Sequence, residues 1–104
     1  MNHSRIDLLE KFMAEDPSDP FNYYALALEY LQTNPTKAAG LFEDVMINHP
    51  EYLPVYYTAG TFYAEQANDS KALEILTKGI ELAKKTSDFK ALRELQSAIQ
   101  NLDS

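Results

Sequence analysis

The side chains best suited to acid–base or metal chemistry in this chain are few and poorly spaced for it. There are two histidines, His3 near the N-terminus and His49 directly before Pro50. Proline stops a helix, so His49 belongs at a helix end, where an imidazole can face the terminal carbonyls. It reads as structural rather than as a general base. The acids Glu15-Asp16 and Glu43-Asp44 are sequence neighbours. Adjacent residues on a helix point in different directions, so neither pair converges on one reacting atom and both read as solvated surface. The sequence holds no HExxH, GxSxG, P-loop or glycine-rich phosphate cradle, and each of those chemistries depends on its spacing. Without cysteine there is no thiolate metal site, disulfide or thiol nucleophile. The expectation is a protein with no catalytic residue, cofactor or metal, that is, not an enzyme.

Composition leaves recognition as the chemistry to look for. Apolar residues at 45% and charged residues at 24% of 104 residues suit one small folded domain. The net charge of −7 would repel a phosphate backbone, so nucleic acid is not an expected partner. The excess is uneven: residues 1–70 carry three bases against 11 acids, and residues 71–104 six bases against five acids. A basic partner would meet the first two-thirds of the chain more favourably. Charges interrupt every apolar run from Met1 to Phe12, and no later stretch reaches the length of a membrane span. Neither a secretory leader nor a membrane association is expected, and a cytoplasmic location is.

The elements that must position any recognition surface follow from an internal repeat. Tyr23, Leu26, Ala27 and Tyr30 recur 33 residues later as Tyr56, Ala59, Gly60 and Tyr63; Ala38, Phe42 and Val45 recur 34 residues later as Ala72, Leu76 and Gly79. The spacing i, i+3, i+4, i+7 is one face of a helix. The one-residue difference falls at Gln32 to Lys37, where a shorter turn can absorb it. Asp19-Pro20 and Asn34-Pro35 each place an N-cap before a proline at the first helical position, and Pro50 closes the helix holding Phe42. Asp69 or Ser70 is expected to cap a helix beginning near Lys71, and Ser87 or Asp88 the last one.

This pattern resembles the tetratricopeptide repeat, W-x2-L-G-x2-Y…A-x3-F…P over about 34 residues. The first unit reads Tyr23-x2-Leu26-Ala27-x2-Tyr30, Ala38-x3-Phe42, Pro50; the second reads Tyr56-x2-Ala59-Gly60-x2-Tyr63, Ala72-x3-Leu76, with Lys84 where the closing proline belongs. That departure suggests a second helix running on through Lys85. Leu9 and Pro17 are spaced like Phe42 and Pro50, so residues 4–16 look like the second helix of a repeat without its first. Residues 88–102 form an amphipathic helix with Phe89, Leu92, Leu95, Ile99 and Leu102 on one side.

The resemblance implies an all-α fold, a short α-solenoid of antiparallel helix pairs forming a single domain over 1–104. Its parts are a half-repeat helix (4–16), repeat 1 (20–52), repeat 2 (53–86) and a C-terminal capping helix (88–102). Helix pairs approach closely where one side is small, which suits Ala27 against Ala38 and Gly60 against Ala72. Gly79 in a helix interior costs about 1 kcal/mol against alanine, and its place in the repeat suggests that close packing offsets this. Gly40 has no such account.

In the family, the first helix of each repeat lines a concave side. The matching positions here are Phe21, Tyr24, Leu28 and Leu31, then Tyr57, Thr61, Ala64 and Glu65. The implied function is an adaptor or scaffold holding a peptide or protein segment in that groove, with Phe21, Tyr24, Leu28, Leu31, Tyr57, Thr61 and Glu65 as partner-binding residues. Tyr24 and Tyr57 stand beside the repeat's own aromatic slot and are surplus to it, and tyrosine suits interfaces because it buries a large area with a polar tip. The expected ligand has apolar anchors and Lys or Arg flanks. Members that grip chaperone tails clamp a terminal carboxylate with Lys and Asn; the matching sites here are Tyr24, Leu28 and Tyr57, so that ligand is not expected. The alternative function is structural, a homodimer formed through exposed repeat ends.

Overall fold

The turns explain how the helices are spaced. A computed structural model describes residues 3–102, the side chain of His3 excepted. Met1, Asn2, Asp103 and Ser104, which the expected domain span includes, lie outside the described residues, as does the His3 imidazole. Among the described residues there are six helices and no strand: α1 (His3–Glu15), α2 (Pro20–Tyr30), α3 (Pro35–Asn48), α4 (Pro54–Glu65), α5 (Asp69–Thr86) and α6 (Phe89–Leu102). They fall into two compact units that divide between Tyr52 and Leu53.

In the first unit, α2 packs on both α1 and α3. Asp19 accepts from the Phe21 N–H and Asn34 from the Lys37 N–H, each with a proline at the start of its helix, as the Asp-Pro and Asn-Pro pairs predict. These caps satisfy N–H groups that the first turn leaves orphaned. The core holds Ile6 and Leu9 from α1, Ala25, Leu26 and Ala27 from α2, and Ala38, Leu41, Phe42 and Val45 from α3.

In the second unit, α4, α5 and α6 all pack on one another. Gly60 is a close-approach position, as the repeat pattern suggests, and the side chain nearest to it is Leu76. An ideal Cβ on Gly60 would lie 2.5 Å from Leu76 Cδ2, so the missing side chain makes room for Leu76 itself. Gly79 does have the close packing expected of it, against Tyr56 and Leu95. Gly40 is exposed with nothing within 4 Å of a would-be Cβ; no packing requirement explains it.

The one-residue difference between the repeats has a physical origin. After α2, the Asn34 N–H donates to the Tyr30 carbonyl; after α4, the Asn68 N–H reaches one residue further back, to Tyr63. The extra residue is Ala67, in the left-handed region at φ 60°, and the Ala67 N–H donates to Ala64. Together these two bonds make a Schellman turn. Asn68 is thereby delivered as the N-cap of α5, accepting from the Lys71 N–H, so neither Asp69 nor Ser70 holds that role. The end of α5 repeats the device: Ser87 at φ 58°, with Asp88 N–H to Ala83 and Ser87 N–H to Lys84. Asp88 then caps α6 through the Ala91 N–H.

Both turns are reinforced alike. Lys37 Nζ lies 4.8 Å from the Tyr30 ring centroid, and Lys71 Nζ lies 5.0 Å from that of Tyr63. The aromatic closing each first helix thus receives the cation from the start of the next.

Candidate protein-interaction surfaces

The residues expected to bind a partner sit on α2 in the first unit and α4 in the second, and each set is described within its own unit. On α2, Phe21 and Leu28 are exposed, while Leu31 is half-buried. Phe21 occupies the first turn because Asp19 and Pro20 start the helix there, which puts a large apolar ring into solvent.

Tyr24 is held differently from the others. Its ring meets Tyr52 edge-on with centroids 5.5 Å apart, and Phe42 at 6.5 Å. Such tilted pairs are the favoured aromatic geometry, so Tyr24 ties α2 to α3 and to the segment after it. Tyr52 completes this cluster. Burial, then the neighbouring Tyr24 and Asp19, pushes its phenol above the ordinary value of 10.0, which keeps it a neutral donor. Sequence reasoning missed Tyr52 because it lies in a loop, outside any periodic face.

On α4, Tyr57 is exposed, as is Glu65, the last residue of the helix. Thr61 lies between them; its hydroxyl is within 3.0 Å of the Tyr57 carbonyl and 3.1 Å of Thr58's, so its one proton is spent on its own helix. Ala64 is half-buried. Tyr57 borders a cleft of about 250 Å³ with Leu53, Pro54, Ala91 and Leu95 as its apolar lining and Asp88, Lys90 and Glu94 as its charged lining. The α6 contribution to this cleft had no sequence signal beyond the amphipathic pattern itself.

Several smaller expectations change. Phe89 is 62% exposed and does not belong to the buried face of α6, which centres on Leu95 and Ala98. His49 caps α3 through its backbone N–H to Val45; its imidazole approaches Glu51, at 3.7 Å, rather than being fixed by the helix carbonyls. Glu29 is paired with Arg5 at 3.1 Å. Among the described residues no cluster of three His, Cys, Asp or Glu could hold a metal, and no helix is long and apolar enough to cross a membrane.

Two solved structures resemble this one over most of its length. The crystal structure of a tetratricopeptide repeat domain protein from Salinibacter ruber is 36% identical, with a TM-score of 0.76 over 82% of this chain and 96% of that one. The solution NMR structure of a tetratricopeptide repeat domain protein from Salinibacter ruber is 37% identical, with a TM-score of 0.79 over 85% of this chain and 90% of that one. No protein-family model and no curated protein matches. With repeat signature, capped helix pairs and this degree of identity in agreement, the chain belongs to the tetratricopeptide repeat family of protein-interaction modules.

Proposed function

We propose that the chain is a non-catalytic adaptor or scaffold that holds a segment of another protein, and that the cleft beside Tyr57 in the second unit is where an anchor residue enters. The observation that carries this reading is an exposed tyrosine bordering an apolar cleft whose charged lining, Asp88 and Glu94 against Lys90, is acidic by one charge. Interface energy concentrates in a few aromatic and apolar contacts, while charges mainly steer encounter. The ligand that fits is an extended or helical segment with an apolar anchor and a nearby Lys or Arg. Phe21 and Leu28 supply a further contact region in the first unit, with Leu31 beside them, and Thr61 and Glu65 extend the α4 contribution. Tyr24 acts as their support, through Tyr52 and Phe42.

Selection from a random-peptide display library against the folded chain tests this directly. Enriched sequences should share an apolar anchor beside a basic residue. Tyr57→Ala should weaken them by about 2 kcal/mol if it is a hot spot, with helicity retained, while alanine at the exposed Lys78 and Glu81 should do little. Binding lost with the latter pair and kept with Tyr57→Ala would rule the cleft out. Self-association is the second reading, and it rests on a different helix.

A further inference from the structure

We propose that α1 is a self-association surface, on which Leu8 and Phe12 pair antiparallel with the same face of a second copy of this chain. The repeat register shows what is uncovered there. Placing Leu9 on Phe42 and Pro17 on Pro50 puts Leu8 on Leu41 and Phe12 on Val45, and the 34-residue step carries these on to Ile75 and Gly79. All four of those positions are buried. Leu8 and Phe12 are 49% and 40% exposed, although their neighbours Ile6 and Leu9 are buried and α1 packs on α2. The face that is buried in α3 and α5 is exposed in α1.

The charges on that face identify the occupant. The close-approach position of the repeat, Ala38 and Ala72, is Arg5 on α1. A long charged side chain obstructs the tight crossing that alanine permits, so another repeat-type helix fits poorly. A side-by-side helix fits well, because Arg5, Leu8, Phe12 and Glu15 fall at i, i+3, i+7 and i+10, the spacing of a single helix seam. They are also symmetric about position 10. In an antiparallel pair Leu8 meets Phe12 of the second copy and Arg5 meets its Glu15, each contact occurring twice. A two-fold interface requires this self-complementarity. Arg5 binds Glu29 through Nε, and a guanidinium's five donors allow it to serve two carboxylates together.

The contact is small, so the dimer is weak and concentration-dependent. Sedimentation equilibrium on the full chain, up to about 1 mM, should show monomer converting to dimer. Arg5→Glu and Glu15→Arg should each raise the dissociation constant about tenfold or more, by placing like charges opposite one another. An equimolar mixture of the two variants should restore dimerisation, with native mass spectrometry showing the mixed species, since one copy then carries two acids and the other two bases. That rescue cannot come from misfolded chains. The proposal is overturned by a wild type that stays monomeric at the highest concentration, by a dimer indifferent to both substitutions, or by a mixture no better associated than its components.

Discussion

Replacing Gly79 with alanine should destabilise the second unit even though alanine is the better helix former. An ideal Cβ at this position would sit 2.7 Å from Tyr56 Cβ and 3.0 and 3.2 Å from the two Leu95 methyl carbons. Carbon atoms in contact rest about 3.5–4.0 Å apart, so the first distance is short by roughly 1 Å. Tyr56 Cβ is fixed to its backbone and cannot swing aside, and Leu95 is itself buried; relief requires α5 to move away from α4 and α6. Overpacking of this kind costs about 1–3 kcal/mol, and the helix-propensity gain returns about 1 kcal/mol. The net loss is about 1 kcal/mol, which in a domain of this size lowers Tm by about 4–8 °C. Urea denaturation followed by far-UV circular dichroism measures it, with Gly40→Ala as the matched control. Gly40 is helical, lacks a positive φ and faces open space, so the same substitution there should stabilise by about 0.5–1 kcal/mol. If the midpoint rises in both variants, the packing around Gly79 is not as tight as the distances require.

Ala67→Gly and Ser87→Gly should each stabilise by about 0.5–1 kcal/mol, because both residues hold a Cβ in the left-handed region; thermal melts that drop for both would mean the Schellman turns are not the resting conformation. Asn68→Ala should cost about 1 kcal/mol as the loss of the α5 cap, whereas Ser70→Ala should cost little, and the reverse order in denaturation midpoints would move the cap. Tyr52→Phe should flatten the alkaline limb of stability. The raised phenol pKa means the Tyr52 contribution is complete below pH 10.0 and is lost as pH rises through the folded value. Equal slopes for variant and wild type above that pH would remove Tyr52 from the cluster's energetics.

The sequence was legible where periodicity or backbone chemistry carries the message. Tyr23, Leu26, Ala27 and Tyr30 announce a helix face, and Asp19-Pro20 and Asn34-Pro35 announce helix starts. It was silent where one residue's conformation decides. Ala67 adopts a positive φ that alanine does not advertise, and that one residue makes Asn68 the cap in place of the expected Asp69 or Ser70. Cross-helix register was equally hidden: the pattern marks Gly60 as a small slot but does not say that Leu76 comes nearest to it. Phe89 shows a limit of helical spacing, since a helical side chain covers the turn N-terminal to its own Cα, and the first residue of α6 has no such turn. Among candidate site residues, Tyr57 and Tyr24 read alike as surplus aromatics, but Tyr57 is exposed while Tyr24 is anchored by Tyr52, a loop residue to which no period points.

The two terminal helices meet one requirement in different ways, and the difference separates folding from association. A helix pair of this kind cannot bury its apolar face alone. In the second unit α6 answers this with Leu95, seated where Gly79 leaves room, so residues on its buried face are committed to stability. Removing the chain from Asp88 onward should therefore expose that seat and favour aggregation. In the first unit α1 spends Ile6 and Leu9 on the core and keeps Leu8 and Phe12 outside it. Substitution of either by a polar residue should lower the unfolding free energy of the monomer by about 1 kcal/mol, for the half of the side chain that is covered, against about 2–5 kcal/mol for Leu9→Ala, and a loss as large as that at Leu9 would make them part of the fold. The same logic holds beside the cleft: Tyr57 is exposed while its neighbour Tyr56 is buried, so one position on α4 can vary without cost to the core and the next cannot.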